Sequence, residues 1–116
     1  MKILWVSRHE PQYQQMQELK EVFGNDVKLI KHHQKVRSGH EVIELMKKND
    51  CSEVMAGLPL SMVQELVDQG IQPIRAIMER KIHSEGGRVT FSHKHFERIE
   101  DIHISTVKLL KREGSK

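Results

Sequence analysis

The stretch from Glu53 to Gly70, Glu-Val-Met-Ala-Gly-Leu-Pro-Leu-Ser-Met-Val-Gln-Glu-Leu-Val-Asp-Gln-Gly, constrains the fold more than any other part of the chain. Val54, Met55 and Ala56 form a short apolar run of the kind that makes a buried strand. Gly57 lets the backbone turn, and Pro59 or Ser61 can begin a helix. Met62, Val63, Leu66 and Val67 recur at helical spacing and mark its core face, and Gly70 closes it. The amide hydrogens at the start of such a helix have no partner within it, so the corner attracts anions. An ordinary strand-to-helix connection with no ligand has the same pattern, and the corner alone does not separate the two.

The rest of the chain repeats this rhythm. Lys2 to Val6 reads as a buried strand that ends in Ser7-Arg8-His9. Pro11 suits a first helical turn, with Tyr13, Met16, Leu19, Val22 and Phe23 as an apolar face and Gly24-Asn25 as the stop. Val27, Leu29 and Ile30 give a second strand, followed by a basic loop from Lys31 to Gly39. Val42, Ile43, Leu45 and Met46 then line a second helix ending near Asn49-Asp50. After Gly70, Ile71 to Met78 reads as a fourth strand, bounded by Pro73 and by Glu79-Arg80-Lys81. Gly86-Gly87 signals a hairpin into a fifth strand running to Phe96, with Val89, Phe91, His93 and His95 expected on one face. Ile99 to Ile104 is a further short strand or an extended segment.

Alternating strands and helices predict an α/β, Rossmann-like fold: a mostly parallel sheet with helices on both faces and a C-terminal β-hairpin. At 116 residues and 37% hydrophobic content, one domain is expected, over 1–110, with a polar tail at 111–116. The single Cys51 excludes an intramolecular disulfide framework and a thiolate zinc site, which fits a reducing, cytoplasmic setting. It reads as a small hydrophobe more than a nucleophile. Met1 to Val6 is too short for a signal peptide, and nothing approaches a membrane span. A formal net charge of +3 with eight histidines suits an acidic partner, but it is too mild to call for duplex nucleic acid.

In open α/β sheets ligands bind beyond the carboxyl ends of the strands, where the strand order reverses. The loops to watch are therefore Ser7-Arg8-His9 and Gly57-Leu58-Pro59-Leu60-Ser61. Hydroxyls and helix-start amides donate to phosphate oxygens, and an arginine grips them as a fork. Gly57 lacks the companions of a dinucleotide fingerprint or a Walker loop, so a nicotinamide or ATP enzyme is disfavoured.

The opening Ile3-Leu-Trp-Val-Ser-Arg-His9, the corner Gly57-Leu-Pro-Leu-Ser61, the segment Gln72-Pro-Ile-Arg-Ala-Ile-Met-Glu-Arg80 and the strand Gly87-Arg-Val-Thr-Phe-Ser-His-Lys-His-Phe96 together span most of the chain. In this order they resemble the small stand-alone CRISPR-associated ring nucleases with a CARF-like fold. The resemblance implies a homodimer that binds a cyclic oligoadenylate, with tetra-adenylate the expected ring, across its two-fold axis. It also implies cleavage without metal or cofactor, which would switch off type III CRISPR signalling.

Such cleavage needs the ribose 2′-hydroxyl in line with the phosphorus, donors for the charge on the phosphate oxygens, and a proton carrier. Alignment and a cationic or amide cradle supply most of the rate, and a positioned histidine adds roughly 10²- to 10⁴-fold. Ser7, Arg8 and His9 are the candidate catalytic residues, with His9 the natural acid or base. Gly57, Leu58, Pro59, Ser61, Arg75, Arg80 and Arg37 are the candidate ligand-binding residues. Each has a plainer alternative: Ser7 as a helix cap, Arg8 as a solvated charge, His9 as a loop histidine, Arg75 and Arg80 as edge-strand charges that deter aggregation. Lys31, His32, His33, Lys35 and Arg37 can steer a polyanion or simply be solvated. His93 and His95, with His83 or His103, could hold zinc or nickel, but no ligand spacing completes such a site, and none is assigned. A non-catalytic nucleotide sensor or sponge, and a basic module for nucleic-acid or protein interaction, are the alternative functions.

Overall fold

The structure is a computed structural model, and it describes residues 1–102 and 109. The elements run β1 (Lys2–Val6), α1 (Tyr13–Phe23), β2 (Lys28–His32), α2 (Gly39–Lys48), β3 (Glu53–Ala56), α3 (Leu60–Asp68), β4 (Ile74–Ile82) and β5 (Val89–Arg98). They form one five-stranded sheet in the order β2-β1-β3-β4-β5. β1 pairs in parallel with both β2 and β3, β3 with β4 in parallel, and β4 with β5 antiparallel. The fold is α/β and Rossmann-like, as the rhythm of the sequence predicts.

Strand side chains point alternately to opposite faces, so a central strand covered by helices on both sides must be apolar throughout. β1 meets that demand. Ile3 and Trp5 pack with Leu19 of α1, Met55 and Ile74 on one face. Leu4 and Val6 pack with Val42, Ile43 and Met46 of α2 and Leu66 of α3 on the other. The chain leaves β1 toward β2 by way of α1, then returns across β1 to β3 by way of α2. The strand order therefore reverses between β1 and β3.

Local signals set most boundaries. Ser38 caps α2, its Oγ accepting from the Glu41 amide at 3.1 Å. Gly70, at φ +78°, closes α3 as its amide donates to the Val67 carbonyl oxygen. Gly86 and Gly87, at φ +75° and +63°, turn the hairpin.

Several expectations are corrected. α1 starts at Tyr13, and its inward face carries Gln15 and Leu19, with Met16 and Phe23 partly buried; Tyr13 and Val22 are exposed. The helix is rotated because Gln12, at its N-cap, and Glu18, within it, bond to β5: Gln12 Oε1 accepts from the His93 amide at 3.2 Å and Glu18 accepts from the Phe96 amide at 2.9 Å. β4 starts at Ile74 instead of Ile71, since the Ile71 amide is taken by the Leu66 carbonyl oxygen and Pro73 has no N–H for a ladder. It also continues through Glu79-Arg80-Lys81 to Ile82, because pairing with β5 holds to the glycine turn whatever the charges.

The two histidines of β5 do not share a face. Ile77 pairs with His95 but Met78 pairs with His93, so Lys94 is an extra residue, a β-bulge that flips the alternation. His93 is buried under α1 against Glu18, 2.7 Å from its Nε2, whereas His95 pairs with Glu97 at 3.0 Å. Ile99 to Ile102 has no regular structure; the remainder of the anticipated strand to Ile104, the end of the 1–110 domain and the 111–116 tail lie outside the described residues.

Candidate functional site

β1 ends at Val6 and β3 at Ala56, side by side in the sheet, with Val6 paired to Ala56. The chain then departs to opposite faces, through α1 after β1 and α3 after β3. Between the two loops opens a cleft of about 610 Å³. Ser7, Arg8 and His9 line one side of it, and Gly57, Leu58 and Pro59 the other. This is the position at which doubly wound sheets hold their ligands.

The loop after β1 is pinned from beneath. Trp5 donates its Nε1–H to the His9 carbonyl oxygen at 2.9 Å, and the His9 amide donates to Ser7 Oγ at 3.1 Å. Ser7 Oγ thus serves as an acceptor within the loop and keeps its own hydrogen for another partner. Its backbone N–H donates to the His32 carbonyl oxygen at 3.2 Å. Arg8 is exposed and makes no hydrogen bond or ion pair among the described residues, and the same holds for the imidazole of His9.

Residues from the β2–α2 loop complete this side. His33 Nδ1 lies 2.8 Å from the Ser7 carbonyl oxygen and Nε2 lies 3.2 Å from Glu10 Oε1. The ring thus ties the β2–α2 loop to the loop after β1. Glu10 also pairs with Lys31. The hydrogen bond from Lys31, and secondarily the charge of Lys31 and His33, holds the Glu10 carboxyl below its usual range. Lys35 and Val36 line the cleft as well.

The floor is the corner after β3. The Pro59 carbonyl oxygen accepts from the Met62 and Val63 amides, which starts α3 and leaves the Leu60 and Ser61 amides without partners inside the helix. Gly57 does not have a positive φ, so the tight-turn role expected of it is not what places it here. A Cβ at this position would meet nothing within 4 Å, because the residue faces the open cleft.

Six of the ten candidate residues, Ser7, Arg8, His9, Gly57, Leu58 and Pro59, therefore meet in one place. The other four do not line that cleft. Ser61 lies on exposed helix surface. Arg75 pairs with Glu97 at 2.9 Å and lines a separate groove with Leu60 and Arg98. Arg80 stands far out on the hairpin, opposite Phe91. Arg37 is in the β2–α2 loop, where its amide donates to Glu41.

The sequence reading missed Glu10, Gln15 and Met62 as lining residues and placed His33 in an undivided basic loop. Gln34 and Lys35 of that loop line the cleft too, and what distinguishes His33 is its contact with the Ser7 carbonyl oxygen and Glu10. Gln15 had one faint signal, its spacing of three from Gln12 at a helix start. Cys51 lies apart from the cleft, and burial pushes its thiol up, which disfavours the reactive thiolate. No group of three or more potential metal ligands occurs among the described residues, and no helix among them is long and apolar enough to cross a membrane. The chain matches no protein-family model, no curated protein and no solved structure.

Proposed function

We propose that this protein binds a cyclic oligoadenylate, tetra-adenylate first among them, in the cleft between Ser7-Arg8-His9 and Gly57-Leu58-Pro59 and cleaves it without metal, acting in the cytoplasm as a homodimer. The carrying observation is the convergence of those two loops on one cleft at the switch point of the sheet. Ser7 Oγ–H and the Arg8 guanidinium are donors for phosphate oxygens. Attack by the 2′-hydroxyl oxygen forms a bond to phosphorus while the bond from phosphorus to O5′ breaks, giving a 2′,3′-cyclic phosphate and a 5′-hydroxyl. The 2′-hydroxyl loses a proton and O5′ gains one, and His9 is assigned to carry one of these protons. Two-fold symmetry in the ligand suits a two-fold dimer.

The alternative is binding without cleavage, as in a sensor or a sponge. It is favoured by one feature: no partner among the described residues orients the His9 ring, whereas acid–base residues are usually held by one. Incubation of pure protein with labelled cyclic tetra-adenylate in EDTA separates the two. Linear fragments support the nuclease, intact but tightly bound ligand supports the sensor, and absence of binding removes both.

A further inference from the structure

Gln15 is 6% exposed and lines the cleft from the α1 side. Its Oε1 accepts from the Gln12 amide at 2.8 Å, which fixes the orientation of the carboxamide, since that partner can only donate. Nε2 is therefore the free end. Its one acceptor among the described residues is Met78 Sδ at 3.9 Å, a weak acceptor at long range, although the group carries two hydrogens. A buried donor left in that state is costly, and a ligand acceptor in the cleft would offset the cost. The lining also includes the apolar side chains of Trp5, Met55, Ala76 and Met78, and Gln12, whose Oε1 is taken by the His93 amide.

We infer that Gln15 reads the nucleobase, donating from Nε2 to an in-plane ring nitrogen of a purine inserted between α1 and the sheet. The cleft is then divided by chemistry. The α1 side, where the buried Gln15 carboxamide lies among Trp5, Met55, Ala76 and Met78, takes a flat heteroaromatic ring, and the side with Ser7 and Arg8 takes phosphate. Thioethers at Met55 and Met78 favour this, as sulfur packs well against aromatic rings. The inference rests on the nucleotide reading of the site and adds the residue that sets base specificity.

The test compares cyclic tetra-adenylate with analogues carrying 1-deaza-, 3-deaza- or 7-deaza-adenine, each lacking one ring acceptor. The wild-type protein should bind one of the three about tenfold more weakly than the parent ring, the effect of one hydrogen bond to a buried donor. Gln15→Glu keeps the cap acceptor but has no donor when ionised, and Gln15→Met keeps the volume but removes both. Each should bind the parent and that analogue equally, with phosphate-side losses from Arg8→Ala unchanged in size. Circular dichroism and thermal unfolding establish that the variants are folded, and if one is not, the wild-type analogue series decides. Equal binding of all three analogues by the wild type, or discrimination kept by Gln15→Met, overturns the role of Gln15 while leaving the nucleotide site standing. Failure of the wild type to bind either cyclic tetra-adenylate or adenosine 5′-monophosphate overturns both.

Discussion

Trp5, 2% exposed in the core, donates its indole N–H to the carbonyl oxygen of His9 in the exposed loop above it. A core residue thus positions the loop to which catalysis is assigned. Trp5→Phe removes the bond and leaves a small void, so it should lower stability by about 2 kcal/mol. At a temperature where the variant remains folded, cleavage should still fall. Full activity in a folded Trp5→Phe protein would show that the bond does not position the loop.

Arg8 and His9 should separate by kinetics. Arg8 is assigned to phosphate, so Arg8→Ala should weaken both binding and turnover. His9→Ala should leave affinity nearly intact and reduce single-turnover cleavage by roughly 10²-fold or more. Indistinguishable cleavage rates for His9→Ala and the parent would remove His9 from the chemistry.

Glu18 links α1 to the hairpin, accepting from the Phe96 amide at 2.9 Å while lying against His93. Glu18→Ala leaves that part-buried amide unpaired, and denaturant unfolding should show a loss of about 1–3 kcal/mol. His95→Ala, on the more exposed side of β5, should cost clearly less. Equal losses would contradict the bulge at Lys94 that places the two histidines differently.

Gly39 begins α2 where α3 passes close. A Cβ there would lie 2.7 Å from the Glu65 Cβ and 2.7 Å from the Met62 carbonyl oxygen. Helical glycine-to-alanine changes generally stabilise. Gly39→Ala should instead destabilise, by about 1–3 kcal/mol, as the two helices are forced apart. A raised melting temperature would refute this packing.

Glu10 gives the loop a pH dependence. Its carboxyl is held below the usual range chiefly by Lys31, so folding favours the ionised form. The contribution is present above the ordinary carboxylate range and is lost as pH falls through the lowered value. Glu10→Gln should therefore reduce stability slightly near about pH 7 and not at all near about pH 2, in parallel denaturation series.

The alternation of strand and helix, the double-sided burial of β1 and the glycine turn at Gly86-Gly87 were all legible in the sequence. They depend on side-chain periodicity and on local backbone preference, which a chain carries wherever it is placed. The same signals placed the loops after β1 and β3 beside each other, because parallel strands with crossover helices leave few arrangements. What the tertiary structure alone decided is which polar residues share space. Gln15 faces the cleft because Gln12 and Glu18 bond to β5 and set the rotation of α1. His33 is singled out from the basic loop because Glu10 and the Ser7 carbonyl oxygen lie on either side of its ring. Arg75 leaves the site because strand alternation turns it to the face opposite Ala76 and Met78, toward Glu97, and Arg80 because it lies farther out along the hairpin. These are contacts between residues distant in sequence, set by strand register and helix rotation, and neither composition nor spacing encodes them directly.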